Sequence, residues 1–446
     1  MLLINPWIYD FTAYDFWLKP LGLLSAASIL RECADFRLHW IDCLDRFHPG
    51  LGPLPESRAD GRGHYMKEEV PKPEILKPVP RKFSRYGIPV RLFEEDLERV
   101  PVPDLVLLGC SMTYWYPGVQ LAAEIVRKKF GSVPIVLGGI YATLAGEHAA
   151  RHSGADRIVS GPAEDRIPAL AREVWGDGFV REIAHAGFGD LPWPAVELLR
   201  ETSSLPLLTS RGCPFDCSFC ASPLLHRGFE QRPPADVAAE IADRVERLGA
   251  RHFAFYDDAL LLGSRSHLVP ILEDAVRRCP GVSFHTPNGL HIREIDRELA
   301  LLFRRANVRS IYLSQESVDE TVLRGASSKV SGGELEDALK HLEDAGYARG
   351  EINVYLLAGL PGQSVESITE SIRHVRRLGA RPRAAYFSPV PGTHAWRELV
   401  ERGRLKPDAD PLLSNKMVFP YLWGDLSPED YASIQKLLRA GSNHQS

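Results

Sequence analysis

The chain has 446 residues, 44% of them apolar and 25% charged, with a formal net charge of −5. That is the composition of a globular protein long enough for two or three domains, each with its own core. The acidic balance excludes a generic polyanion binder, which needs clustered Lys and Arg, and no apolar run approaches the roughly 20 residues that span a bilayer.

Met1 leads into an apolar run without a basic leader or a small-residue cleavage site, so the expected location is cytoplasmic, where thiols stay reduced. Leu2 to Asn5, Arg37 to Ile41, Asp104 to Cys110, Pro134 to Leu137 and Arg157 to Ser160 read as short strands. Helical patterns fall at Leu21 to Arg31, Val119 to Lys129, Ala142 to His152 and Glu164 to Trp175. The alternation predicts an α/β fold with an N-terminal five-stranded doubly wound parallel sheet over residues 1–180, whose ligands bind beyond the C-terminal strand ends. Those ends carry aromatics and glycines: Pro6 to Tyr9, then Met112, Thr113 and Tyr114, then Gly138, Gly139, Ile140 and Tyr141, then Gly161. Glycines admit close backbone approach and aromatics offer flat apolar walls. Alternatively, the glycine pair only makes a turn and the aromatics fill core.

A long insertion, from about Phe47 to Pro103, is rich in Pro, Gly and mixed charge. It reads as a solvated strap, although Arg81, Lys82, Arg85 and Arg91 beside Phe83 and Tyr86 offer an anion contact. Residues 181–204, with Pro192 and Pro194, read as a linker.

From Leu205 the alternation resumes. Strands are expected at Leu205 to Ser210, His252 to Tyr256, Ser283 to Thr286, Ser310 to Leu313, Ile352 to Leu357 and Ala384 to Phe387, with helices between them. After the first comes Arg211-Gly212-Cys213-Pro214-Phe215-Asp216-Cys217-Ser218-Phe219-Cys220, with three of the seven cysteines. Three thiolates on one loop can hold three irons of a cubane cluster and leave the fourth open. A zinc knuckle is the alternative, but it favours four ligands in two pairs, and no second close-spaced Cys pair is present. Cys33, Cys43, Cys110 and Cys279 stand in apolar or helical contexts and read as small core residues.

The cysteine spacing, with Phe219 before the third cysteine, resembles the radical S-adenosylmethionine (radical SAM) enzymes. The resemblance implies that Cys213, Cys217 and Cys220 hold a 4Fe-4S cluster whose free iron chelates S-adenosyl-L-methionine. One electron, from an external donor such as flavodoxin or ferredoxin, then yields a 5′-deoxyadenosyl radical. It also implies a partial (β/α)6 barrel over residues 205–394, of TIM-barrel type, with its chemistry at the C-terminal strand ends. Carried over in family order, Asp257 and Asp258 would contact the methionine amino group, Asn288 and Glu316 the carboxylate and ribose, and Gly359 and Phe219 the adenine.

A sheet domain placed before such a loop, with Gly138-Gly139-x-x-Ala142-Thr143 after its fourth strand, resembles the cobalamin-binding domain of cobalamin-dependent radical SAM enzymes. Met112, Thr113, Tyr114, Gly138, Gly139, Ile140, Tyr141 and Gly161 are then the expected cobalamin contacts. The Asp-x-His-x-x-Gly motif of other cobalamin proteins is absent, and His48 reads as a loop residue. The implied activity is methyl transfer to an unactivated carbon or phosphorus of a small molecule. Cyclisation, rearrangement or oxidation by an enzyme whose first domain binds substrate or a partner is the alternative. Residues 395–446, which hold no cysteine for an auxiliary cluster, are expected to close the barrel and wall the substrate site, with a helix capped by Ser427.

Overall fold

The computed structural model describes residues 1–52, 57–181, 183, 187–320, 322–323, 333–422 and 426–440. Trp423, part of the aromatic run read as barrel-closing, lies outside the described residues. The chain divides into two compact units: residues 1–205 with 408–415, and residues 206–407 with 416–446.

In the first unit, strands Leu2–Asn5, His39–Asp42, Val106–Cys110, Ile135–Gly139 and Arg157–Ile158 form one sheet. Its order is second, first, third, fourth, fifth, and every pairing is parallel. Parallel strands need crossovers, and the helices Leu21–Cys33, Val90–Glu98, Tyr116–Phe130 and Gly146–His152 lie in the four of them, while Ala163–Trp175 follows the last strand. Because both faces of the inner strands are covered, the first, third and fourth are mainly apolar: Leu2, Leu3, Ile4, Val106, Leu108, Ile135 and Leu137 are almost wholly buried. On one face Leu23, Ala27 and Leu30 of the first helix pack with Ile167 and Leu170 of the last. The order reverses between the first and third strands, which makes their C-terminal ends the topological switch point.

The insertion is not a solvated strap. Strands Lys67–Glu69 and Ser84–Tyr86 join Ile8–Asp10 in a three-stranded antiparallel sheet, followed by the helix Val90–Glu98. Phe83 and Tyr86 are buried beneath it. The cations set aside for an anion are mostly spent: Lys82 pairs with Glu69 and Arg85 with Glu68, each at 2.6 Å, and Arg91 with Glu95 at 3.2 Å. Such exposed pairs contribute little stability. His48 is a buried tie: its Nδ1 accepts from Gly50 N at 3.0 Å and its Nε2 lies 3.1 Å from Asp96.

The second unit has two four-stranded sheets. One orders Ser204–Leu207, His252–Phe255, Ser283–His285 and Val308–Ser310 in sequence; the other joins Leu290–His291, Tyr312–Glu316, Asn353–Ala358 and Arg381–Tyr386. Val308–Ser310 and Tyr312–Glu316 are one run of chain broken at Ile311, so six principal strands stand in sequence order across both sheets. Helices Pro234–Leu248, Leu268–Arg278, Arg297–Arg305, Glu334–Asp344 and Val365–Arg377 alternate with them. Each buries an apolar stripe at helical spacing, as Ile368, Ile372 and Val375 do. Asp296 and Ser364 cap two of them, accepting from Leu299 N at 2.9 Å and Ser367 N at 3.2 Å.

The C-terminal segment is divided between the units rather than devoted to the barrel. Asp408–Asn415 belongs to the first unit, where Asp410 accepts from the Tyr116 hydroxyl at 3.0 Å and Asn415 donates to buried Asp10 at 2.9 Å. The helix Pro428–Arg439 belongs to the second, with Tyr431 against Tyr386 at 4.7 Å between ring centroids. Ser427 caps this helix reciprocally with Asp430.

Gly138 and Gly139 differ sharply in what they tolerate. Gly139 has φ 94° and ψ −166°, a conformation essentially confined to glycine, and a Cβ there would stand 2.6 Å from the carbonyl oxygen of Cys110. At Gly138 a Cβ would meet nothing closer than 3.9 Å. Gly139→Ala is expected to cost at least about 2 kcal/mol in urea unfolding, while Gly138→Ala stays within about 0.5 kcal/mol of the parent.

Candidate functional site

The cysteine loop is closed by a hairpin. Ser210–Gly212 pairs antiparallel with Phe229–Gln231, so that Ser210 faces Gln231 and Gly212 faces Phe229. Gly212, at φ 75°, could not carry a side chain without meeting the Gly228 carbonyl. None of the three cysteines of the loop is in a disulfide; Cys217 is buried, and Cys213 and Cys220 are half-buried. Cys217 O accepts from Cys220 N at 3.0 Å, and Cys220 Sγ accepts from Ser222 N at 3.5 Å. Ser218 O accepts from Ala395 N at 2.8 Å, which ties the loop to the helix His394–Glu401, just beyond the last strand.

Among the described residues no three His, Cys, Asp or Glu side chains are gathered to hold a single metal ion. A zinc ion, bound at about 2.3 Å to each sulfur, needs such convergence. A cubane gives each thiolate its own iron and does not. The donor set therefore suits a cluster.

A narrow cleft of about 30 Å³ opens beside the loop, lined by Cys213, Phe215, Asp258, Gly289, His291, Glu294 and Ser314 with Ala259, Leu260 and Leu262. Sequence reasoning marked only Cys213 and Asp258 of these as site residues. Phe215 and His291 stack at 5.1 Å, and a side chain on Gly289 would run into Ser314. Gly289 and His291 lie in and beside the two-residue strand Leu290–His291, which is too short to leave a periodic signal.

The two adjacent aspartates part company. Asp258 is exposed and lines the cleft. Asp257 is 2% exposed and faces back. Its Oδ1 accepts from Ser210 N, Ser210 Oγ and Thr209 Oγ1, all at 2.6 Å, and both its oxygens lie 3.2 Å from Thr209 N. The expectation that Asp257 contacts the methionine amine is thus met by a carboxylate engaged elsewhere. Burial pushes its pKa above the ordinary carboxylate value, opposed by the bonds from Ser210 and Thr209. Asn288 spends its amide on the carbonyls of Tyr256 and Asp257, at 3.0 and 3.2 Å, joining two strand ends.

Glu316 ends its strand at φ 63°, a left-handed conformation that costs a non-glycine residue about 1–2 kcal/mol. The pairing register slips between Ser314 and Glu316, a bulge of the kind that re-aims a side chain at a strand end. Gly359 also has positive φ, and its turn is held by buried Gln363, whose Oε1 accepts from Gly359 N at 2.8 Å and Leu360 N at 3.2 Å. Phe219 is half-buried in the cysteine loop.

In the first unit a small pocket, of about 10 Å³, lies at the switch point between Asn5, Pro6 and Trp7 of one strand end and Gly109, Cys110, Ser111 and Trp115 of the other. Asn5 donates to Asp42 at 2.7 Å, and burial pushes Asp42 up to about 6. Burial likewise lifts the Cys110 thiol to about 12, which removes it as a ligand or nucleophile. Of the expected cobalamin contacts, Gly139 and Gly161 are brought together through Thr143, whose Oγ1 donates to Gly139 O at 3.0 Å and accepts from Gly161 N at 3.1 Å. Gly138, Ile140 and Met112 are half-buried nearby in sequence. Thr113 and Tyr114 are buried, and Tyr141 is wholly so, its hydroxyl 2.8 Å from His148 Nδ1 and its ring stacked on Tyr116. Tyr141 is therefore core.

Residues 207–375 match the family model described as the radical SAM superfamily. Among curated proteins, the anaerobic magnesium-protoporphyrin IX monomethyl ester cyclase of Cereibacter sphaeroides is 24% identical over 308 residues, covering 61% of this chain and 49% of that protein. The chain thus spans about half the length of that relative. The uncharacterized methyltransferase PH0819 of Pyrococcus horikoshii is 22% identical over 333 residues, covering 68% of this chain and 71% of that protein. Among solved structures, the radical S-adenosylmethionine methyltransferase TsrM of Kitasatospora setae, with cobalamin and a 4Fe-4S cluster bound, superposes with a TM-score of 0.68 at 15% identity. That alignment covers 99% of this chain and 91% of TsrM, and establishes the shared fold.

Behind the loop, buried His267 lies with Nε2 3.0 Å from Thr209 Oγ1, and burial lowers its pKa to about 4. The native state therefore keeps this imidazole neutral while the unfolded chain protonates it near 6.5. Its stabilising contribution is full above about pH 6.5 and is lost as the pH falls toward about 4. His267→Gln keeps a donor and cannot titrate, so its urea midpoint is expected to fall less than the parent's over that window.

Proposed function

We propose that this chain, built on a radical SAM domain, is a cobalamin-dependent radical enzyme that methylates a carbon or phosphorus of a small molecule. The observation that carries this reading is the presence of two sites in one chain: three cysteines outside any disulfide on a closed hairpin loop, and a sheet of order 2-1-3-4-5 with a pocket at its switch point. The likeness to cobalamin-loaded TsrM runs through both units and supports it. When bound, the cluster, S-adenosylmethionine and cobalamin would supply one-electron cleavage of a sulfonium and a transferable methyl group.

The chain's own residues bind, orient and exclude water. Cys213, Cys217 and Cys220 would hold the cluster, with Ser222 N stabilising one sulfur. Asp258, which lines the cleft with Cys213 and Glu294, would accept from the methionine ammonium. Glu316, presented by its bulge, would accept from the ribose hydroxyls. The turn at Gly359, fixed by Gln363, offers backbone to adenine, with Phe219 near it. Gly138 leaves open space where a side chain would stand, so a flat ligand can approach the strand end there. A cytoplasmic location and an external one-electron donor go with this reading; among the described residues no helix is long and apolar enough to cross a membrane.

A second reading is ring closure or rearrangement without methyl transfer, favoured by the cyclase among the curated relatives.

Replacing Cys213, Cys217 and Cys220 together by Ala is expected to abolish bound iron and reductive cleavage of S-adenosylmethionine. Cleavage that survived in that variant would sink the reading. Glu316→Gln should keep its iron and weaken S-adenosylmethionine binding about tenfold, the scale of a lost charge-assisted hydrogen bond, by equilibrium dialysis.

A further inference from the structure

We propose that Asp257 is a buried charge that lowers the reduction potential of the cluster on Cys213, Cys217 and Cys220, and that it does not touch S-adenosylmethionine. The inference rests on the functional reading above for the presence of that cluster.

The carboxylate accepts hydrogen bonds from the amides and hydroxyls of Thr209 and Ser210, all of them donors. Because the Thr209 hydroxyl gives its proton to Asp257, its oxygen accepts from Nε2–H of His267, 3.0 Å away. The chain from His267 through Thr209 therefore fixes every proton in the direction that suits an ionised carboxylate. A buried charge satisfied by hydroxyls and amides keeps its field in a way that one neutralised by an adjacent cation does not.

The position directs that field at the cluster. Ser210, which Asp257 holds by two bonds, is three residues from Cys213, at most about 11 Å along an extended chain. Asp258, on the opposite side of the backbone, lines the cleft with Cys213, and Asp257 is 2% exposed. A unit charge at about 12 Å, through an effective dielectric of about 20, changes a one-electron equilibrium about tenfold. Negative charge near an iron–sulfur cluster opposes its reduction, and so makes the reduced cluster the stronger reductant.

The test is an anaerobic redox titration followed by electron paramagnetic resonance, on reconstituted protein without S-adenosylmethionine. Iron is measured first on the parent: a chain that holds none contradicts the functional reading itself, and the inference with it. Asp257→Asn keeps Oδ1 as acceptor and removes the charge. The expected result is a midpoint raised by about 59 mV, the equivalent of tenfold for one electron, with S-adenosylmethionine affinity within twofold of the parent. Asp257→Ser, smaller and neutral, should move the potential the same way, and Asp257→Glu, which keeps the charge, should leave it within about 28 mV, the equivalent of threefold for one electron. An unmoved potential in an iron-loaded neutral variant overturns the inference: with weakened S-adenosylmethionine binding Asp257 is a cofactor ligand, and with unchanged binding it is only a tie. Loss of iron from both neutral variants, but not from Asp257→Glu, overturns it in favour of a folding role.

Discussion

The second unit's chemistry depends on where one strand stops. A buried carboxylate is costly unless it is fully hydrogen-bonded, and Asp257 meets that demand by drawing in the backbone and hydroxyls of Thr209 and Ser210. Arg232 clamps the same turn from the other side, donating to Leu208 O at 3.0 Å while paired with Asp236 and Glu240. The strand therefore ends at one place, and the hairpin that follows starts in one register. The loop of three cysteines, of which Cys213 lines the cleft, starts from a fixed point with less freedom to lose when a ligand binds.

The first unit rests on an analogous constraint, made by backbone rather than charge. Its sheet order leaves a crevice where neighbouring connections run opposite ways, and Gly139 lets the fourth strand end against Cys110 O. Asp10 accepts from Trp115 Nε1 at 3.0 Å and from Asn415 Nδ2 at 2.9 Å. One buried carboxylate thus ties a residue of the switch-point cavity to a segment that returns from 300 residues further along the chain.

Much of this was legible in the sequence, because local pattern determined it. The eleven principal strands were expected within a few residues of where they lie, since each is a short run bounded by turn residues and amphipathic helices. The cysteine loop was legible for a chemical reason: its spacing has few uses. What escaped was set by non-local pairing or by a single residue's orientation. Ile8–Asp10 and its two partners are three residues each and acquire meaning only when paired. Asp257 and Asp258 are indistinguishable as letters, yet adjacent residues of extended chain face opposite ways. The left-handed Glu316 and the core position of Tyr141 left no sequence signal. The return of Asp408–Asn415 was hidden because Asp410 and Asn415 find their partners across most of the chain.

The most direct test of the central claim is the ratio of cobalt to iron in protein purified without oxygen, reconstituted with iron, sulfide and hydroxocobalamin, and desalted. The account requires near-stoichiometric cobalt beside about four irons per chain, the content of one cubane cluster. Four irons without retained cobalt would contradict the cobalamin assignment and leave the switch-point cavity to a substrate or partner. Cobalt without iron would contradict the radical chemistry itself.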